Sequence, residues 1–160
     1  MSSSLPRIRR AALLLLTLSV VAATLLSSSD AVATFPGTNG KIAFSSATKP
    51  KSQVWVMNHN GTNKTQLTFP PRDNSQPSWF EGGHRVLFTS VVPKEVSQIF
   101  AMNANGTLRT QVTTGNRNWD HPTFNASGTK IVASGLVGGY WNLFRMNADG
   151  THQVRLTHTH

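Results

Sequence analysis

The sequence predicts an all-β fold made of repeated four-stranded antiparallel units. Three observations predict it: a motif that occurs three times, a turn dipeptide inside each copy, and short apolar runs on both sides of that turn. The copies of the motif are residues 54–62, 99–107 and 143–151. Their methionines, Met57, Met102 and Met146, are separated by 45 and 44 residues. A constant period of this length is typical of repeat architectures.

The first 33 residues have the pattern of a secretory signal peptide. Arginine occupies three of the first ten positions, residues 11–26 are almost entirely apolar, and the small residues Ala31-Val32-Ala33 follow. A basic start, an apolar core and an A-x-A site predict cleavage after Ala33 and export to the periplasm or the extracellular space. The alternative is an uncleaved membrane anchor, although the apolar core is shorter than the roughly 20 residues that span a bilayer. We expect no membrane span after cleavage.

Each copy of the motif is predicted to form a β-hairpin. An apolar run ends in Asn, and an Asn-Gly or Asp-Gly dipeptide follows two residues later. Such dipeptides favour a type I′ turn, in which both central residues have positive φ. A strand should follow each turn, at residues 65–68, 110–113 and 153–157. The predicted turn residues are Asn60, Gly61, Asn105, Gly106, Asp149 and Gly150.

An upstream half completes each repeat. Glycine-led apolar strands are predicted at residues 40–45, 83–89 and 128–134, and Pro-x-Trp/Phe segments precede two of them at residues 77–80 and 122–125. The first repeat keeps a degraded version, Phe35-Pro36-Gly37. Four strands in about 45 residues is the size of one β-propeller blade. The predicted blades are residues 34–68, 74–113 and 119–157.

The third strand of each unit is apolar on both faces. Phe100 and Met102 alternate with Ile99 and Ala101, and the other two copies have the same alternation. Successive side chains of a strand point to opposite faces, so both faces should be buried, as in a blade between two neighbours. Arg145 breaks the pattern. One face of the last blade is therefore expected to be more open, as in a terminal repeat.

Together these residues resemble the WD-type repeats of TolB-like β-propellers. The shared pattern is Pro-x-Trp/Phe, a Gly-led apolar strand, apolar-Met-Asn-x-Asp/Asn-Gly-Thr, and a strand that ends in Leu/Val-Thr; it covers residues 34–160. The resemblance implies that the Pro-x-Trp/Phe strand is innermost and lines a central channel. TolB-like propellers usually have six blades, so three units predict an incomplete or open propeller. A homo-oligomer that completes the propeller, a truncated reading frame and an arc capped by a partner are the alternatives.

The charge of the exported part limits its partners. The leader holds three of the 15 basic and one of the 6 acidic residues, which leaves 12 against 5 and a net charge of +7. The basic residues are scattered, with no run of five or more, which argues for a solvated basic surface and against nucleic acid as partner. Envelope polymers, lipid head groups or acidic proteins are the expected anionic partners, and solubility alone is the simpler explanation. The chain has no cysteine, so no disulfide framework is expected.

The sequence contains no recognisable catalytic constellation. It has no Cys nucleophile, no Gly-x-Ser-x-Gly elbow, no Gly-rich phosphate loop and no His-Glu-x-x-His pattern. We expect no catalytic residues, no cofactor and no metal site. Asp120 and His121, at the start of an innermost strand, are the candidate ligand-binding residues because that position faces the channel mouth. The alternative is that Asp120 accepts hydrogen bonds from backbone amides of the turn before Pro122.

These observations predict an exported, non-enzymatic β-propeller repeat protein that binds a protein or an envelope component. In the bacterial family that it resembles, this corresponds to a periplasmic accessory of envelope maintenance. The alternative is a regulatory or substrate-binding propeller fragment of a larger hydrolase, peptidase or lyase. A lyase or hydrolase site at the propeller mouth would need several converging His and acidic side chains, and only Asp120 and His121 qualify.

Overall fold

Three antiparallel sheets, each formed by one repeat, make up the part of the chain that the computed structural model describes, residues 40–48, 51–92 and 96–159. Blade 1 contains β1 (Ile42–Thr48), β2 (Lys51–Met57) and β3 (Thr65–Gln66). Blade 2 contains β4 (Asn74–Phe80), β5 (Arg85–Val92), β6 (Val96–Asn103) and β7 (Thr110–Gln111). Blade 3 contains β8 (Trp119–Phe124), β9 (Lys130–Val137), β10 (Tyr140–Asn147) and β11 (Val154–Arg155).

Strands that are neighbours in the chain are neighbours in the sheet, so every blade is a simple meander. Each strand finds its partners within its own repeat, and the predicted all-β fold of propeller blades is confirmed. A short 3-10 turn at Glu81–Gly83 joins β4 to β5. Two predictions, the leader at residues 1–33 and the first strand of blade 1 near residues 35–37, concern residues outside the described ranges. Within those ranges, no helix has the length and apolar content needed to cross a bilayer.

The hairpin turns lie where they were predicted, but the predicted type I′ geometry is wrong. In blade 1 the N–H of Gly61 donates to the carbonyl of Asn58, and the N–H of Asn58 donates to the carbonyl of Thr62, both at 2.9 Å. This is a three-residue loop, a type I turn followed by a glycine bulge. Within the turn itself, the glycine has positive φ, at 81°, 85° and 84°, and the preceding Asn or Asp does not. The same geometry recurs at Asn60-Gly61, Asn105-Gly106 and Asp149-Gly150.

The side chains of the motif explain why a threonine follows each glycine. In blade 2 the Asn105 side-chain oxygen accepts hydrogen bonds from the N–H (3.1 Å) and the hydroxyl (2.7 Å) of Thr107. The Asn103 side chain donates to the same hydroxyl at 3.0 Å. Blades 1 and 3 repeat this arrangement with the same residue types, apart from Asp149 in place of Asn. The Asn-x-Asn/Asp-Gly-Thr sequence is thus a self-contained hydrogen-bonded turn.

Two apolar clusters bind the blades to one another, one at each interface. Between blades 1 and 2, Val54 and Val56 of β2 pack with Phe100 and Met102 of β6. Between blades 2 and 3, the opposite face of β6 packs against β10, with Ile99 and Ala101 against Phe144 and Met146. The prediction that both faces of the third strand are buried between neighbouring blades is confirmed for blade 2. Arg145, on the far face of blade 3, is exposed as predicted.

Candidate functional site

The inner edge strands of blades 2 and 3, β4 and β8, carry the same irregularity. The pairing of β4 with β5 shifts between Ser75 and Ser78, and the pairing of β8 with β9 shifts between Asp120 and Thr123. Each shift contains one residue with positive φ followed by proline: Gln76-Pro77 (φ 52°) and His121-Pro122 (φ 50°). Proline has no N–H to donate to a ladder, so a β-bulge accommodates it, and a bulge also re-aims the neighbouring side chains.

The bulges bring polar groups of three blades into one row. The backbone N–H of Gln76 donates to the hydroxyl of Ser45 in β1 at 2.9 Å. The backbone N–H of His121 donates in turn to the Gln76 side-chain oxygen at 3.3 Å. One step along the same strands, the Ser78 hydroxyl donates to the Thr123 hydroxyl at 3.3 Å. We call these residues the inner polar row: Ser45, Gln76, Ser78, His121 and Thr123.

These contacts also place β4 and β8 side by side. Gln76 and His121 occupy the same position of the repeat, as do Ser78 and Thr123, and each pair is 45 residues apart in the chain. Blades that converge on an axis bring their innermost strands together in this way. The contacts therefore agree with the strand order that the family resemblance implied.

The predicted ligand residues, Asp120 and His121, lie at this row. The Asp120 carboxylate is 3.3 Å from Nδ1 of His121, and its other oxygen accepts a hydrogen bond from the Thr89 hydroxyl at 3.4 Å. The imidazole is 70% exposed and the carboxylate-bearing side chain 25%. Among the described residues, the donors to this carboxylate are side chains, so the alternative of a backbone-capping role for Asp120 is not what the structure shows. The carboxylate instead holds the imidazole at the surface.

Arginine side chains also occupy the blade interfaces. The Arg109 guanidinium lies 5.1 Å from the ring centroids of both Phe88 and Phe100, and it donates to the Asn74 side chain at 2.9 Å. Partial burial and then repulsion from Arg72 lower the pKa of Arg109 below its usual range. Arg117 lies between blades 2 and 3, 4.5 Å from the Phe144 ring centroid, as its repeat equivalent Arg72 lies 5.5 Å from the Phe100 ring centroid. The sequence analysis assigned these charges to a solvated surface, and it missed this stacking role.

The two tryptophans of blade 3 differ in exposure. Trp119 is fully buried, with its ring edge-on to Phe144 at 5.1 Å, whereas Trp141 is 47% exposed on the far face of the blade. In the described ranges, no three His, Cys, Asp or Glu side chains lie together as metal ligands would. Sequence analysis also missed Ser45, Ser78 and Thr123, which become part of the site only when neighbouring blades are placed side by side.

Comparisons with known proteins agree with this geometry. The family model of the TolB beta propeller domain matches residues 13–160. No curated protein matches the sequence significantly. Among solved structures, TolB from Acinetobacter baumannii superposes with a TM-score of 0.66 at 17% identity, over 98% of this chain and 38% of that one. A TolB structure from Agrobacterium tumefaciens gives 0.65 at 17% identity, over 72% and 44%.

An oligogalacturonate lyase in complex with manganese is also similar, with a TM-score of 0.59 and 18% identity over 76% of this chain and 34% of the lyase. At these identities the similarity shows the fold alone. The chain spans less than half the length of each of these three structures.

Proposed function

The chain belongs to the TolB beta propeller domain family, and on that premise we propose that it is an exported, non-enzymatic module that binds a protein or an envelope polymer through its inner polar row. One observation carries the proposal: the repeat-equivalent bulges of β4 and β8 line up Gln76 and His121 at the edge where the blades converge. Loops and irregular edges on a rigid scaffold are common places for binding residues.

The chemistry of the row favours hydrogen-bonded recognition. The amide of Gln76, three hydroxyls and an imidazole offer both donors and acceptors along the row. The Asp120 carboxylate is already bonded to Thr89 and faces Nδ1 of His121. That contact orients the imidazole and leaves Nε2, 3.5 Å from the side-chain nitrogen of Gln76, as the ring nitrogen offered to a ligand. Extended peptides and polysaccharides both present alternating donors and acceptors that such a row can pair.

Charge favours an acidic partner. Residues 34–160 carry a net charge of +7, and complementary charge accelerates encounter and excludes partners of like sign.

Export is part of the proposal and rests on the leader pattern. A fusion of residues 1–33 to alkaline phosphatase, which is active only after export, should give phosphatase activity in cells. An inactive fusion would contradict export.

The binding role can be tested with a random-peptide phage library selected on the immobilised chain. Enriched peptides should bind with at least about tenfold lower affinity to the variants Gln76→Ala and His121→Ala, because each loses a side chain of the row; tenfold corresponds to about 1.4 kcal/mol. The control is His59→Ala, an exposed histidine in the turn of blade 1. It should bind as the wild type does.

Soluble peptidoglycan fragments are the second probe, for an envelope polymer. Binding of either probe that depends on Gln76 and His121 supports the proposal. Peptides and glycan fragments that bind both variants unchanged, or fail to bind the wild type, would overturn it. Chemical conversion of a bound probe would favour the enzyme alternative.

A further inference from the structure

The interface between blades 1 and 2 holds a pair of arginines where the next interface holds an arginine and a glutamine. Arg72 and Arg117 occupy the same position of the repeat, just before β4 and β8, and each lies over the aromatic residue of the next third strand. The position opposite them is Arg109 in blade 2 and Gln153 in blade 3. Arg117 donates to the side-chain oxygen of Gln153 at 3.4 Å. Between blades 1 and 2, the equivalent pair consists of two cations.

One aromatic ring holds the two guanidinium groups near each other. Arg72 lies 5.5 Å and Arg109 5.1 Å from the ring centroid of Phe100. Repulsion from Arg72 adds to partial burial in lowering the pKa of Arg109, which is a second sign that the two charges are close. Like charges at such a distance repel, and an anion bound to both would convert that repulsion into attraction.

The pair is not neutralised by an acidic residue of the chain as described. Across residues 40–48, 51–92 and 96–159, no Asp or Glu side chain forms a salt bridge with an arginine. Asp73, next to Arg72 in the chain, accepts a hydrogen bond from the N–H of Ser52 at 3.0 Å. Asn118 makes the equivalent bond to a backbone N–H of blade 2 at 2.8 Å. This position therefore holds the neighbouring hairpin whether it is charged or neutral.

Two buried polar side chains fix the position of Arg109. Its Nη2 donates to the side-chain oxygen of Asn74 at 2.9 Å and to the hydroxyl of Ser90 at 3.1 Å. Asn74 and Ser90 are both 0% exposed. The equivalent residues of blade 3 are Trp119 and Gly135, which cannot accept these bonds. Of the two blade interfaces, the one between blades 1 and 2 is thus the one equipped to hold a second guanidinium.

We infer that Arg72 and Arg109 form a binding site for a doubly charged oxyanion, a phosphate or sulfate group. The nitrogens of the Arg72 guanidinium, and Nε and Nη1 of Arg109, donate to no residue within the described ranges, and both side chains reach solvent. Guanidinium groups bind phosphate and sulfate oxygens through paired N–H donors, and two negative charges balance the two cations. The site shares no residue with the inner polar row, so the inference does not rest on the proposed function.

Isothermal titration calorimetry of the full chain with inorganic phosphate, at constant ionic strength, tests the inference. The wild type should bind one phosphate per chain. Arg72→Gln should weaken phosphate binding at least about tenfold, because it removes one of the two cations and leaves the bonds of Arg109 to Asn74 and Ser90 in place. Arg117→Gln is the matched control, since it removes the equivalent arginine of the next interface. It should bind phosphate as the wild type does.

Arg109→Gln is the second variant, and it gives this interface the Arg–Gln pair that the next interface already has. It should also lose phosphate binding while the far-UV circular dichroism of the β-sheets is retained. Sulfate should bind as phosphate does, whereas acetate, with a single charge, should bind at least about tenfold more weakly.

Three results would overturn the inference. The first is a wild type that binds neither phosphate nor sulfate at millimolar concentration. The second is equal phosphate binding by the wild type and Arg72→Gln, which would indicate diffuse attraction to the basic surface. The third is acetate binding as tight as phosphate binding, which would show that the site does not require a doubly charged group.

Discussion

Substitution of Thr113 by valine should expose how the short outer strands are held in place. The Thr113 hydroxyl accepts a hydrogen bond from the N–H of Ile99 at 2.9 Å and donates to the Gln98 side-chain oxygen at 2.7 Å. Gln98 is 0% and Thr113 1% exposed. The hydroxyl thus replaces a ladder bond just where β7 ends, and it anchors a buried glutamine that also donates to the carbonyl of Arg117 at 2.9 Å.

Valine has nearly the shape of threonine, so the substitution removes the hydroxyl and leaves little cavity. It leaves two buried groups, the N–H of Ile99 and the side-chain oxygen of Gln98, without their hydrogen-bond partner. Each unsatisfied buried group costs about 1–3 kcal/mol, and the added methyl recovers part of that loss. We expect Thr113→Val to lower the free energy of unfolding by about 2–4 kcal/mol, a large share of the 5–15 kcal/mol of a typical domain.

Blade 3 supplies the matched control. Thr157 makes the same bond to the N–H of Leu143 at 2.9 Å, but at a partly exposed position. The Asn142 oxygen beside it keeps hydrogen bonds from Thr159 at 2.8 Å and Arg155 at 3.0 Å. Since water can replace the lost partner there, Thr157→Val should cost less than about 1 kcal/mol.

Urea unfolding, followed by tryptophan fluorescence and by circular dichroism, measures both variants. Coincident transitions are needed before a free energy is assigned. Equal losses for the two variants, or a Thr113→Val midpoint equal to that of the wild type, would refute the proposed anchoring of the outer strands.

Two further predictions concern the turns. Gly150→Ala and Gly61→Ala both place a Cβ at positive φ (84° and 81°), which costs about 1–2 kcal/mol. The added Cβ at position 150 would lie 1.9 Å from the carbonyl oxygen of Val112, whereas the one at position 61 meets nothing within 4 Å. Gly150→Ala should therefore lower the urea midpoint clearly more than Gly61→Ala, and equal midpoints would contradict the packing of this turn on blade 2. Hydrogen bonds from the hydroxyl and then the N–H of Thr151 lower the pKa of Asp149 below its usual 3.8. The resulting stability is complete above pH 3.8 and is lost as the pH falls through the lowered pKa of the folded state. Asp149→Asn should remove this part of the acid dependence of the unfolding free energy, and an unchanged acid limb of the stability curve would show that the carboxylate does not contribute.

The blade packing could be predicted from the sequence because strand alternation is strict. The period of two places Phe100 and Met102 on one face and Ile99 and Ala101 on the other, and no other information is needed. The turn type could not be predicted in the same way. Asn-Gly suits both a type I′ turn and a type I turn with a glycine bulge, because glycine takes positive φ in both. The hydrogen bond across the loop distinguishes them.

The buried glutamines are a second feature that could not be predicted from the sequence. A polar residue near the start of a strand is normally predicted to be exposed, yet Gln53 and Gln98 are both 0% exposed. The repeat did contain an indication of their role, since Ser52-Gln53-Val54 and Ser97-Gln98-Ile99 lie at the same position relative to the motif.

Asp120 and His121 are adjacent in the chain and could be chosen together as candidates. Their link to Gln76 depends on a bulge and on how neighbouring blades meet, which no local pattern contains.

A disulfide between β4 and β8 tests most directly whether repeat-equivalent strands lie side by side around an axis. The hydroxyls of Ser78 and Thr123 are 3.3 Å apart, and the chain has no cysteine of its own. The double variant Ser78→Cys/Thr123→Cys should therefore oxidise to one intramolecular disulfide, measured by loss of free thiols at unchanged chain mass, because disulfides form only between closely spaced side chains. Ser78→Cys combined with Thr65→Cys, on the outer strand of blade 1, should keep both thiols. Free thiols in the first variant under conditions that oxidise small dithiols would contradict the side-by-side arrangement of the blades.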